Sequence, residues 1–387
     1  MFKSRVLLLC ISFLLVSAVP SHSAVKKPTS KTVVKKSVVK KIAVKPIQAK
    51  SPTAEPPKVV EPTPTPTPTP TAPAQPITFD NLDLVWTSKV ARTEILTEFA
   101  KLKKPDDAYE LFVGPTVASG DIAEEKRLLD IATTMFSEYF LPKKFHVVYF
   151  SERDANWAEE TKTNIGAGYH TTFQAEIDKL PYRCDFAFAT KVKDQTPAYF
   201  SCLDSKVSRG IMNASIPIHE YFHFVQQKYS WQKMPCWMLE GSATYFGAAL
   251  GIDKNDPTGK MSFEFTKRLA YQYGPEGQFN PGSLNQSNTR LIEKIVSEVG
   301  LLDLFIQLDK NMNELGNTSC TSLGAYAVGS IATEALIAVK GYKTYMDFVS
   351  TFPITADWKS EFKKTYGLST DDFYLKLAPY LRYRITG

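Results

Sequence analysis

Past residue 19 the chain has no long apolar run, so no later segment reads as a membrane span. It has no C-x-x-C pair, which argues against a thiolate metal site. It has no fixed-period repeat beyond one Thr-Pro tract, which excludes a repeat architecture. Its second part also lacks basic patches. Residues 1–76 hold twelve Lys and Arg against Glu55 and Glu61, a net of +10, while the whole chain is +6. The remainder is therefore −4, and nothing there asks for a polyanion. Nucleic acid is not an expected partner.

What is present begins with a leader. Lys3 and Arg5 precede an apolar run from Val6 to Val19, with small residues from Ser17 to Ala24. That pattern predicts a secretory signal peptide over residues 1–23 and a secreted or cell-surface protein. Residues 24–76 hold a valine–lysine segment and then the Thr-Pro tract, Pro62 to Pro70. This composition predicts a disordered linker, extended where proline alternates. Its first reading is a solvated spacer. The sharper alternative is that its lysines hold the protein to an anionic wall polymer or lipid surface.

Residues 77–387 are long enough for one large domain with a deep core. Four cysteines fall there: Cys184, Cys202, Cys236 and Cys320. An even number in an exported chain predicts two disulfides. Cys184 and Cys202 lie in short strand-like runs that can pair as a hairpin, leaving Cys236 to Cys320. Helical spacing marks Val90–Leu102 and Asp121–Tyr139. Phe145–Phe150, Asp185–Thr190 and Pro197–Leu203 read as strands. Further on, Thr289–Val299, Leu301–Asn311, Ser322–Val339, Tyr342–Phe348 and Thr370–Tyr380 read as helices, after an irregular connection from Ile252 to Asn288. The class expected is α+β.

Chemistry concentrates in His219-Glu220-Tyr221-Phe222-His223. On a helix, positions i and i+4 share one face, so two imidazoles can grip one metal ion. Glu220 stands beside them, placed to handle the proton of an activated water. Pro217 is expected in the helix's first turn, with Asn213 or Ser215 as its cap. Sixteen residues separate His223 from Glu240, in Trp237-Met238-Leu239-Glu240-Gly241-Ser242-Ala243. Zinc needs three protein ligands and an open position, and Glu240 is the candidate third. The bland alternatives are a surface histidine pair and a carboxylate favoured by the second helix's dipole. Gln227 and Thr244 are candidates to support the imidazoles.

These two segments resemble the gluzincin metallopeptidases, the thermolysin-like and aminopeptidase-like group. The resemblance covers roughly the last half of the chain and is specific from Ile216 to Ala249. The spacing from His223 to Glu240 is shorter than in the best-known members. The resemblance implies a zincin-like fold with strands before the active-site helix and helices after it. It implies Zn²⁺ on His219, His223 and Glu240, Glu220 as general base, and protein or peptide substrates. A strand beside the active-site helix would line the substrate, and Pro197–Leu203 is the candidate. A tyrosine from the later helices would stabilise the carbonyl oxygen. Tyr326, in Gly324-Ala325-Tyr326-Ala327-Val328-Gly329-Ser330, is favoured over Tyr245 and Tyr273. His146 and His170 precede the motif and are not favoured. The rival function is a binding module on an inactive peptidase-like scaffold.

Overall fold

Four short strands form one mixed sheet in the order β1-β2-β4-β3. They are β1 (Tyr109–Val113), β2 (Phe145–Phe150), β3 (Ala187–Lys191) and β4 (Pro197–Cys202). The computed structural model describes residues 75–106, 109–168, 172–179, 184, 186–203, 211–252, 297–315, 320, 323–355 and 357–386. The expected leader, the linker up to residue 74 and the connection after Ile252 lie outside these residues, as do His170 and Tyr273.

Strands β1, β2 and β4 run parallel, while β3 pairs antiparallel with β4 as a hairpin. Strand β2 is buried along its whole length because both faces are covered. Alternate side chains go to opposite faces. Phe145, Val147 and Tyr149 enter the main core, whereas Val148 and Phe150 enter a second, smaller one with Phe188 and Phe200. The smaller core is closed by Ala155 and Ala158 of α3 (Ala155–Asn164) and by Phe173 and Ile177 of α4 (Phe173–Lys179).

The main core is helical. It gathers α1 (Trp86–Lys101), α2 (Ser119–Met135), α5 (Ile211–Lys228) and α6 (Cys236–Gly247), with a π-helical turn at Ala248–Ile252. It continues through α7 (Glu298–Leu308), α8 (Leu323–Lys340), α9 (Tyr342–Ser350), α10 (Trp358–Tyr366) and α11 (Thr370–Thr386). Helix α5 packs against α2 and β3 and, through another face, against α6. Helix α6 lies between α5 and α8, and every one of its residues is buried.

Glycine makes this central position possible. A Cβ on Gly241 would stand 2.2 Å from the Gly329 backbone, so α6 and α8 meet main chain to main chain. On the other side, a Cβ on Gly247 would stand 2.6 Å from the Ser215 carbonyl oxygen of α5.

The class is α+β, as the sequence predicts, and both expected cysteine pairs form. Cys184–Cys202 and Cys236–Cys320 each have Cα atoms 5.1 Å apart. Three expectations are corrected. Helix α5 starts at Ile211, so Pro217 sits in its interior and Asn213 and Ser215 lie within the helix instead of capping it. Packing on Gly247 and Gly251 holds the turns before the proline helical, although Pro217 has no N–H to offer its own turn. Strand β4 is internal, paired on both sides, so it cannot accept a further chain; the edge beside α5 is β3. Gly300 does not break the helix between Val299 and Leu301, and residues 289–296 of the expected Thr289–Val299 helix lie outside the described residues. Gly300 lies in the first turn of α7, where its N–H donates to the Ser297 side chain at 2.9 Å.

Candidate metal centre

Helices α5 and α6 bring three ligand atoms to one point. His219 Nε2 and His223 Nε2 are 3.0 Å apart, and Glu240 Oε2 is 3.5 Å from each. Tetrahedral zinc ligands at about 2.0–2.1 Å from the metal lie about 3.3 Å from one another. The observed triangle brackets that spacing. Among the described residues, these three alone form a His, Cys, Asp and Glu group compact enough to hold a metal ion.

The burial of the group says why it suits a cation. Glu240 and His223 are buried, and Glu240 Oε2 is enclosed with no hydrogen-bond partner of its own. A buried carboxylate oxygen without a partner is costly. A cation on the open side of that oxygen removes the cost. Electrostatics agree in direction. Burial opposes charge on Glu240, yet His223 and His219 hold it well below the usual carboxylate range. Burial likewise opposes charge on His223, but Glu240 and then Glu220 outweigh it and push the imidazole up to about 9. The centre of the triangle is therefore a place that stabilises positive charge.

The surrounding contacts orient each ligand. His223 Nδ1 meets Gln226 Oε1 at 2.7 Å, and Gln226 Nε2 donates to the Leu239 carbonyl at 2.8 Å and to Ser242 Oγ at 3.0 Å. His219 Nδ1 stands 3.4 Å from Thr244 Oγ1, whose hydroxyl donates to the Glu240 carbonyl at 2.7 Å. Thr244 was legible as a partner; Gln227 was not the right glutamine. Gln227 is only half-buried, and its Nε2 has no hydrogen-bond partner. Gln226 is fully buried, and its spacing of three from His223 puts it on the ligand face.

Glu220 is not part of the triangle. Its Oε2 accepts the Ala189 N–H of strand β3 at 3.0 Å. Burial pushes its carboxyl up from the ordinary value, against the lowering pull of His223 and His219. Tyr326, in the first turn of α8, stacks on His219 with ring centroids 5.9 Å apart and planes 9° off parallel. Tyr245 is buried instead, its ring against Phe246. His146 is on β2, where its Nδ1 faces Glu110 at 3.2 Å.

The arrangement defines a helix-borne His-His-Glu group able to hold a metal ion, with a carboxylate and a tyrosine beside it. No family model, curated protein or solved structure matches the chain.

Proposed function

We propose that the chain is an exported zinc metallopeptidase with a zincin-like active site, hydrolysing peptide bonds of proteins or peptides. The observation that carries this reading is the convergence of His219, His223 and Glu240 with Glu220 held just outside the ligand set. Zinc bound by the three ligands supplies Lewis acidity: it polarises a carbonyl and makes water nucleophilic near neutral pH.

The rest of the chemistry belongs to the protein's own groups. Glu220 takes the proton of the attacking water and hands it to the leaving amine. The raised affinity of its carboxyl for a proton suits both steps. The Ala189 N–H fixes Oε2, so Oε1 is the oxygen assigned to the proton. Tyr326, beside His219, is assigned to donate to the carbonyl oxygen as charge develops there. The substrate lies extended along β3. At its two ends the Phe186 carbonyl accepts the Cys202 N–H and the Val192 N–H donates to the Thr196 carbonyl, while within the strand the Ala189 N–H points to Glu220. Ala187 shares the register of Ala189 and is assigned to pair with a peptide, while the Lys191 end is bounded by the bridge between Val192 and Ala167. The two disulfides, and the absence of any described helix long and apolar enough to cross a membrane, are compatible with a place outside the cell.

The test is metal analysis and peptide hydrolysis on the wild type and two variants. Glu220→Gln is expected to keep zinc and lose roughly 10²–10⁴-fold in rate. His219→Ala is expected to lose both zinc and activity. Hydrolysis by Glu220→Gln at the wild-type rate would overturn the mechanism, and a zinc-binding wild type with no hydrolysis would favour a binding module.

A further inference from the structure

We infer that Gln226 is the positioning residue of this centre: it fixes the proton of His223 on Nδ1 and so turns the Nε2 lone pair onto the metal, while tying α5 to the helix that carries Glu240. The inference rests on the reading of His219, His223 and Glu240 as a metal site.

The argument is one of donors and acceptors. The Leu239 carbonyl can only accept, so the Gln226 atom 2.8 Å from it must donate. Ser242 Oγ donates its single proton to the Met238 carbonyl at 2.5 Å, so toward Gln226 it accepts. Both neighbours on α6 therefore demand an N–H, and the amide's two protons meet both demands. That places Oε1 toward His223, where an oxygen can only accept. His223 Nδ1, 2.7 Å away, must be the donor. Its Nε2 is then left to face His219 and Glu240.

His219 follows the same logic through a weaker contact. The Thr244 hydroxyl gives its proton to the Glu240 carbonyl, so its oxygen accepts toward His219 Nδ1. In the neutral form that binds a metal, both rings thus turn their Nε2 lone pairs toward the point they share with Glu240 Oε2. Such outer contacts change metal affinity by about 10–100-fold when removed. Gln226 is the stronger case, since it is fully buried and its amide has a partner for every proton.

Gln226 also couples the two helices. Its amide holds the carbonyl of Leu239, the residue just before Glu240. One side chain therefore orients a ligand on α5 and seats the segment that carries the ligand on α6. These two jobs use different atoms, so substitutions separate them. Gln226→Leu removes both. Gln226→Glu keeps an acceptor for His223 but sets an oxygen against the Leu239 carbonyl.

The experiment measures zinc affinity by competition with a chelator, urea midpoint, and the imidazole protons of His223 by ¹⁵N-edited NMR. Wild type is expected to show an Nδ1 proton protected from exchange. Gln226→Leu is expected to lose the protection of that proton and to bind zinc 10–100-fold more weakly. Gln226→Glu is expected to recover most of the zinc affinity but not the urea midpoint. Equal loss of affinity in both variants would mean that Gln226 only packs the helices and would overturn the assignment, as would an unprotected Nδ1 proton in wild type. The proton is read with or without zinc, so the wild type decides the matter even if a variant fails to fold. A wild type that binds no zinc but protects the proton would sink the metal reading and leave the His223 orientation standing.

Discussion

At the scale of single residues, Tyr326 tests the division of labour in the site. Its ring stacks on His219, beside the His-His-Glu group. Tyr326→Phe keeps the stacking surface and removes only the hydroxyl. Zinc content is expected to stay at the wild-type level while kcat falls by about 10²–10³-fold, the cost of one donor to a developing oxyanion. An unchanged kcat would return Tyr326 to the status of a packing residue. The two histidines of the group able to hold a metal were legible because four-residue spacing on a helix is a geometric statement, and the structure brings Glu240 to meet them. Gln226 was not legible. Gln226 and Gln227 are both within reach of a ligand face in sequence, and only the position of α6 decides which amide finds partners.

At the scale of elements, the close meeting of α6 and α8 makes a sharp prediction. A Cβ on Gly329 would stand 2.0 Å from the Trp237 carbonyl oxygen, which neither backbone can yield cheaply. Gly329→Ala is expected to cost about 1–3 kcal/mol or more in urea unfolding, by forcing the helices apart. Zinc affinity should fall with it, because Glu240 is carried on the helix that moves. A variant with a lowered urea midpoint but intact zinc affinity would show that α6 yields elsewhere.

Strand β2 carries a second element-scale prediction. Burial, and then Lys144, push the His146 imidazole below its ordinary value, with Glu110 pulling the other way. The unfolded chain therefore takes up a proton near pH 6.5 that the folded chain refuses. Stability from this source is full above 6.5 and is lost as the pH falls from there through the folded value. His146→Phe removes the titration, so its drop in urea midpoint between pH 7.5 and 5.5 should be smaller than that of the wild type. Equal drops would assign the acid sensitivity to other groups.

The same elements show what sequence pattern reaches. Long apolar helices such as α2 and α8 are legible from their period, and β2 from its run of β-formers. Strand β1 was missed because it is an exposed edge with no alternation in its burial. Helix α3 was missed because it buries alanine and threonine, which leave little apolar period. The order of strands, and so which one is the edge, is a long-range fact that no local pattern contains.

At the scale of the molecule, the two disulfides should be unequal in function. Cys184–Cys202 closes a separation of 18 residues around the β3–β4 hairpin. Cys236–Cys320 closes a separation of 84 and joins the first residue of α6 to the lead-in of α8. Loop entropy alone assigns roughly 3 kcal/mol to the first and roughly 4–5 kcal/mol to the second. The second has a further consequence, because Glu240 lies one turn beyond Cys236. That turn is also held by the Trp237 indole, which donates to Asp309 at 3.2 Å, and by the Cys236 N–H, which donates to the Lys310 carbonyl at 3.0 Å. Replacing Cys236 and Cys320 by alanine is therefore expected to lower the urea midpoint and also to weaken zinc binding, most strongly as denaturant approaches the midpoint. Replacing Cys184 and Cys202 is expected to lower the midpoint less and to leave zinc affinity near wild type without denaturant, since β3 bonds to Glu220, which lies outside the His-His-Glu group. Chelator competition on both double variants at matched fractions folded makes the comparison. If the hairpin variant lost zinc as readily as the α6 variant, the bond at Cys236 would be general reinforcement of the fold with no particular bearing on the metal centre.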